Sequence, residues 1–246
     1  MPTEAHLFEE YAYMAANRKL LAVAVVCAAA VIGVTGCSSD GGDKDPFEGM
    51  SADKIAEKAS KASKDAGSYR MKGQMKQKGE VSDIEFAVAE SGDCTGKMGS
   101  SKTGKAEFLS VGKFTYSKGD DKFWESKGGG STAELLKGRW VKTPAEGDKA
   151  VCNPDDMFSN KNLKKLKRKD DAEVGGTKAA VLTRKKGAET TTFYVAMEGK
   201  PYFLKVVNKG ADGPGTVTFS DYGKPVDVKA PPAKDVVDPE KLSSGS

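Results

Sequence analysis

The chain has 246 residues, 30% of them charged, and its 39 Lys and Arg against 35 Asp and Glu leave a net charge of +4. That mild basic excess falls well short of the dense positive patch expected of a nucleic-acid binder, and no nucleic-acid partner is expected. The single histidine, His6, lies ahead of the body of the chain. This excludes Ser-His-Asp and Cys-His hydrolysis and histidine-ligated zinc from the folded part.

The first element is a leader. Arg18 and Lys19 precede Leu20 to Val34, a run without charge, which closes on Thr35, Gly36 and Cys37. A short basic flank, roughly fifteen apolar residues and small residues at the end predict a secretory signal peptide over 1–36. The run is short for a membrane span, which needs about 20 apolar residues. Cys37 directly after the small residues resembles the lipobox of bacterial lipoproteins, which implies a diacylglyceryl anchor on Cys37 and residence on the extracytoplasmic face of the cell membrane. The alternative is an ordinary secreted protein, or an N-terminal helix, that carries a cysteine there. The acidic Glu4, Glu9 and Glu10 sit oddly in a signal peptide, and a start at Met14 gives a more usual opening. Without 1–36 the chain keeps 37 basic and 32 acidic side chains, a net +5. Ser38, Ser39, Asp40, Gly41, Gly42 and Asp43 begin a polar tether, expected over 37–50.

A helix is predicted from Ser51, a good N-cap with Asp53 in the first turn, to a stop at Gly67. Ile55, Ala59, Ala62 and Ala66 recur on one side of it, with lysines outside. From Tyr69 the period becomes two. Tyr69, Met71, Gly73 and Met75 take one side, and Ile84, Phe86 and Val88 follow after a turn at Lys78-Gly79. Short strands are predicted at Cys94 to Ser100, Ala106 to Val111, Phe114 to Tyr116 and Phe123 to Glu125. After Gly128-Gly129-Gly130, a capping box at Ser131 to Glu134 predicts a brief helix, and Trp140 to Lys142 is extended. A second helix is expected from Asn153-Pro154, with Met157, Phe158, Leu163 and Leu166 on one side. Strands resume at Ala179 to Thr183, Thr190 to Met197, Tyr202 to Asn208 and Thr216 to Asp221, and Pro231-Pro232 opens an extended tail over 231–246.

Four cysteines are present. Cys27 leaves with the leader and Cys37 takes the lipid, so Cys94 and Cys152 remain as an even pair in an exported chain. They are expected to form a disulfide; two buried free thiols are the alternative. Closing that loop contributes roughly 4 kcal/mol in the chain-entropy model. Two thiols without histidine make a poor metal site, and neither metal nor cofactor is expected.

Few other groups suggest chemistry. Ser51-x-x-Lys54 and Lys102-Thr103-Gly104 match two marks of penicillin-binding serine enzymes, but Ser82-Asp83 is followed by Ile84 and the spacing is far too short. The pairs Asp120-Asp121, Asp155-Asp156 and Asp170-Asp171 suit turns or helix starts better than two-carboxylate catalysis. Lys161, Lys164, Lys165, Lys167, Arg168 and Lys169 are expected on the wet side of a short helix, or as a patch facing anionic headgroups.

The order is helix, antiparallel meander, short helices, second meander. Several segments resemble the lipoprotein-carrier fold of LolA and LolB and of mycobacterial LppX and LprG. They are the lipobox, the Ser51 to Ala66 helix running into Tyr69-Arg70-Met71-Lys72-Gly73, the Lys137 to Lys142 segment, and the closing Thr216 to Gly223 strand. The resemblance implies an α+β fold over 51–230, in which a curved antiparallel sheet, an unclosed half-barrel, wraps around a few helices. It also implies an apolar cavity for acyl chains. An alanine-faced helix leaves such space beside it, which makes Ile55, Ala59, Ala62, Tyr69, Met71, Met75, Phe86 and Val88 the candidate lining.

Three classes of function follow. The first is a membrane-anchored monomer that binds or shuttles a lipid or acylated ligand. The second is an anchored interaction module with a protein partner in the envelope. The third, an enzyme without histidine, finds no catalytic motif to support it.

Overall fold

The computed structural model describes residues 44–77, 79–145, 158–159, 163–210 and 213–239. Among them, helix α1 (Ala52–Asp65) precedes a meander of β1 (Tyr69–Gln77), β2 (Glu80–Val88), β3 (Cys94–Ser100), β4 (Gly104–Val111) and β5 (Phe114–Gly119). Helices α2 (Asp121–Gly128) and α3 (Gly130–Leu136) lead to β6 (Trp140–Pro144). The second meander is β7 (Lys167–Val174), β8 (Thr177–Lys186), β9 (Glu189–Ala196), β10 (Phe203–Lys209) and β11 (Gly215–Ser220). A short β12 (Val236–Val237) follows. No described helix is long and apolar enough to cross a membrane.

All twelve strands belong to one sheet, in the order β12-β6-β5-β4-β3-β2-β1-β11-β10-β9-β8-β7. Every pairing is antiparallel except β12 on β6. The two meanders join through β1 and β11, where Met71 faces Phe219 and Gly73 faces Val217. β7 and β12 stay unpaired with each other at the two ends, so the sheet is open. The expected α+β half-barrel is the observed fold.

Local chemistry explains where elements begin. Ser51 caps α1, its Oγ accepting from the Lys54 amide at 3.3 Å. Asp53 reaches further, its carboxylate accepting from the amides of Lys165 (3.1 Å) and Leu166 (2.7 Å) just before β7. Asp120 caps α2 through the Phe123 amide at 2.7 Å and also takes the Lys105 amide at 2.9 Å. Phe123 to Glu125 is therefore helical, where a strand was expected. The capping box is not used either: α3 starts at Gly130, and Gly129 stands at the cap without a side-chain bond.

The region before β7 brings a larger correction. Met157 and the expected helix start at Asn153-Pro154 lie outside the described residues, but Leu163 to Leu166 is not helical. Asp53 holds a bend there, with Lys165 at φ 60°, and Lys167, Arg168 and Lys169 open an edge strand instead of a helix. Asp170 and Asp171 lie where the β7–β8 register shifts, so they occupy a bulge in that strand and not a turn. Asp155 and Asp156 lie outside the described residues.

Packing also reaches past the expected domain limits. Phe47 is buried in the core, and Asp45 pairs with Arg168 of β7 at 2.6 Å, within the stretch expected as tether. At the other end Val237 is buried opposite Val141. The body therefore extends into both flanking segments.

The Asp45–Arg168 pair yields a test. The hydrogen bond from Arg168 holds the Asp45 carboxyl below its ordinary value of 3.8. A lowered carboxyl contributes stability above its unfolded pKa and loses it as pH falls through the folded value. Asp45→Asn is expected to cost about 1 kcal/mol at pH 7. The cost should fade once the pH drops below 3.8. Urea midpoints of both proteins at pH 7 and pH 3 measure it, and an equal gap at both would contradict the assignment.

Candidate functional site on the inner face of the sheet

The ladder fixes which side chains share a face. Tyr69, Met71 and Gly73 of β1 lie opposite Val88, Phe86 and Ile84 of β2. Phe86 and Ile84 in turn face Gly96 and Met98 of β3. These positions form the inner face, and the core gathers on them. Gly96 is small for a reason. A Cβ there would sit 2.0 Å from Phe86 Cδ1, so the missing side chain is what lets the Phe86 ring lie over β3.

Helices cover the two flanks of this face. Helix α1 packs chiefly against β7, β9 and β10, while α2 packs against β4 and β5. In the strand order, β1, β2 and β3 lie between those two contacts. Their inner face carries Met71, Ile84 and Phe86, all buried, and Met50, Met75 and Met98 pack half-buried against the same core. Unbranched thioether side chains adapt to irregular apolar shapes, which suits an acyl chain as well as it suits a core.

Among the described residues, two polar atoms on this core have no partner. Tyr69 Oη and Trp124 Nε1 are buried and make no hydrogen bond. Burial pushes the Tyr69 phenol above its usual range, so it stays a neutral donor. Each is a group that a bound polar atom would satisfy. Beside Tyr69 the packing is aromatic: its ring meets Phe158 edge-on at 5.1 Å, and Tyr222 donates its hydroxyl proton to the Phe203 carbonyl at 2.8 Å.

The candidate lining thus divides. Tyr69, Met71, Phe86 and Val88 share the inner face, with Met75 half-buried beside them. Ile55 and Ala59 are fully buried in the same core, on a helix whose closest strand neighbours are β7, β9 and β10. Ala62 is only half-buried; Ala52, Ala56, Ser60 and Ser63 are the inward positions instead. Ser60 donates to the Phe158 carbonyl at 2.6 Å, and Ser63 accepts from the Phe203 amide at 3.2 Å, which fixes α1 in this rotation. Met98 and Gly96 belong to the inner face and were not anticipated, although Cys94, Gly96 and Met98 alternate along a strand the sequence does indicate.

Cys94 is buried at the start of β3 and held in a disulfide. Cys27, Cys37 and Cys152 lie outside the described residues. Among the described residues no group of three His, Cys, Asp or Glu is placed to hold a metal ion.

No protein-family model matches the chain, and no curated protein matches it. Solved structures do. LprF of Mycobacterium bovis is 14% identical, with a TM-score of 0.52 over 73% of this chain and 96% of that one. The lipoprotein LppX of Mycobacterium tuberculosis is 13% identical, with a TM-score of 0.48 over 72% and 98%. The chain has the fold seen in LprF, and at such identity the likeness is one of fold.

Gly96 offers a direct probe of the inner face. Gly96→Ala must displace the Phe86 ring, an overpacking expected to cost about 1–3 kcal/mol. Chemical denaturation of both proteins checks it, with Gly130→Ala, where a Cβ meets open space and φ is not left-handed, as the control for loss of glycine alone. An unchanged midpoint for Gly96→Ala would show that the Phe86 ring does not need the space.

Proposed function

We propose that the chain is a lipoprotein held through Cys37 on the extracytoplasmic face of the membrane, and that it binds a lipid or acylated ligand over the inner face of β1, β2 and β3. The observation that supports this best is the chemistry of that face. Half-buried Met50, Met75 and Met98 border a buried apolar floor, and the same core holds two orphaned polar atoms. Apolar walls with a few unsatisfied polar groups describe a small-molecule site better than a finished core does. The half-barrel fold agrees with this reading. The protein acts here as a binder or shuttle, without a reaction of its own. The tight seating of α1 through Ser60 and Ser63 favours a second reading, an anchored interaction module without a lipid ligand.

Native mass spectrometry of the full chain carrying Cys37→Ala, which leaves it without the anchor, tests the proposal. A co-purifying lipid is expected, displaceable by a fluorescent fatty-acyl probe. Met98→Gln should weaken probe binding roughly fivefold, the scale of one lost apolar contact. A clean protein mass together with no probe binding would hand the function to the interaction-module reading.

We further assign Cys152 as the partner of Cys94, since Cys27 departs with the leader and Cys37 carries the anchor. Non-reducing peptide mapping of exported protein should recover the Cys94–Cys152 link. Cys152→Ser should then destabilise the protein by roughly 4 kcal/mol, the entropic cost of losing a long closed loop. Recovery of Cys152 as a free thiol would overturn the pairing.

A further inference from the structure

A second feature lies on the other side of the sheet. Alternation along the ladder puts Val141 with Ser117 on the inner side, and sends Tyr116 and Lys142, paired with each other, outward. Phe114 shares their side. At this end of the sheet the C-terminal segment returns as β12, parallel to β6, with Val236 opposite Trp140. Between the two runs a cleft of about 520 Å³, lined by Phe114, Tyr116, Leu135, Arg139, Lys142 and Val236 among others.

Its chemistry is asymmetric. Leu135 is 59% exposed, and it and Val81 are the large apolar side chains left exposed among the described residues. Tyr116 is 8% exposed and lines the cleft, and its hydroxyl is not among the buried polar atoms left without a partner. Lys142 is already committed. It pairs with Asp238 at 2.9 Å and lies 3.8 Å from the Phe114 ring centroid, so the lysine and the carboxylate cancel. Arg139 is exposed and carries no carboxylate partner among the described residues. The cleft therefore combines an aromatic and aliphatic floor, a phenol and one guanidinium without a carboxylate partner among the described residues.

We propose that this cleft is a binding site for an anionic amphiphile, distinct from the inner face. A carboxylate or phosphate sits on Arg139, whose forked donors suit either group. The Tyr116 hydroxyl donates to the same head or to its linkage. The apolar tail lies along Leu135, Phe114 and Val236, which would explain why a leucine is left facing solvent there. The volume falls within the range of about 300–1,000 Å³ usual for small-molecule pockets.

Calorimetric titration of the full chain carrying Cys37→Ala tests the site with four probes below their micelle concentrations: dodecanoate, dodecyl phosphate, dodecyltrimethylammonium and inorganic phosphate. The two anionic amphiphiles should bind, and the cationic one should not compete. Arg139→Gln should weaken them about tenfold, the scale of one lost charge-assisted contact. Leu135→Asp should remove the site. Both side chains are exposed, so circular dichroism should match wild type. Met98→Gln should leave unchanged the component of the titration that Arg139→Gln weakens, which separates the cleft from ligand on the inner face. Wild-type titrations from both Arg139→Gln and Leu135→Asp would overturn the proposal. So would equal binding of the cationic amphiphile, or inorganic phosphate binding as tightly as dodecyl phosphate.

Discussion

The architecture depends on one pairing, β1 with β11. Each meander closes on itself through short turns, but only the ladder from Arg70–Ser220 to Met75–Gly215 makes them a single sheet. The pairing joins positions far apart in the chain, so its loop-closure entropy must be met before any ladder bond offsets it. Gly73 sits in the middle of this ladder. A Cβ there would lie 2.2 Å from the Thr216 carbonyl oxygen, so close approach of β1 and β11 requires a residue without a side chain. The inner face depends on the same contact, because β1 carries Met71 between Phe86 of β2 and Phe219 of β11.

Much of this is visible in the sequence where one side of a strand is buried and the other wet. Tyr69 to Met75 and Ile84 to Val88 alternate cleanly for that reason, and their turns fall where expected. β7 escapes the same logic. It is an edge strand whose Lys167, Lys169, Asp170 and Asp171 are exposed, so no apolar period marks it. Phe123 and Trp124 misled in the opposite way. Two adjacent aromatics read as a strand, and only the cap from Asp120, made through contacts with β4, commits them to a helix.

The face of α1 shows a subtler limit. Counting apolar residues selects Ile55, Ala59, Ala62 and Ala66, yet the helix turns Ser60 and Ser63 inward. A buried hydroxyl costs little when it finds a partner, and each serine finds one on the distant aromatic segments, the Phe158 carbonyl or the Phe203 amide. Hydrophobicity alone cannot see that compensation, since the partners lie about a hundred residues away in the chain.

The same accounting bears on function. Ser60, Ser63 and Tyr222 show that this core satisfies its polar groups where it can, through bonds of 2.6 to 3.2 Å. Tyr69 Oη and Trp124 Nε1 are exceptions in the same core, and each unsatisfied buried donor costs about 1–3 kcal/mol. Phenylalanine at either position would remove the penalty and keep most of the aromatic packing. Both donors lie in the core that the methionine-bordered face shares, and an acceptor carried by a ligand would satisfy them. The proposed ligand, with an apolar body and a few oxygen acceptors, would meet both conditions at once.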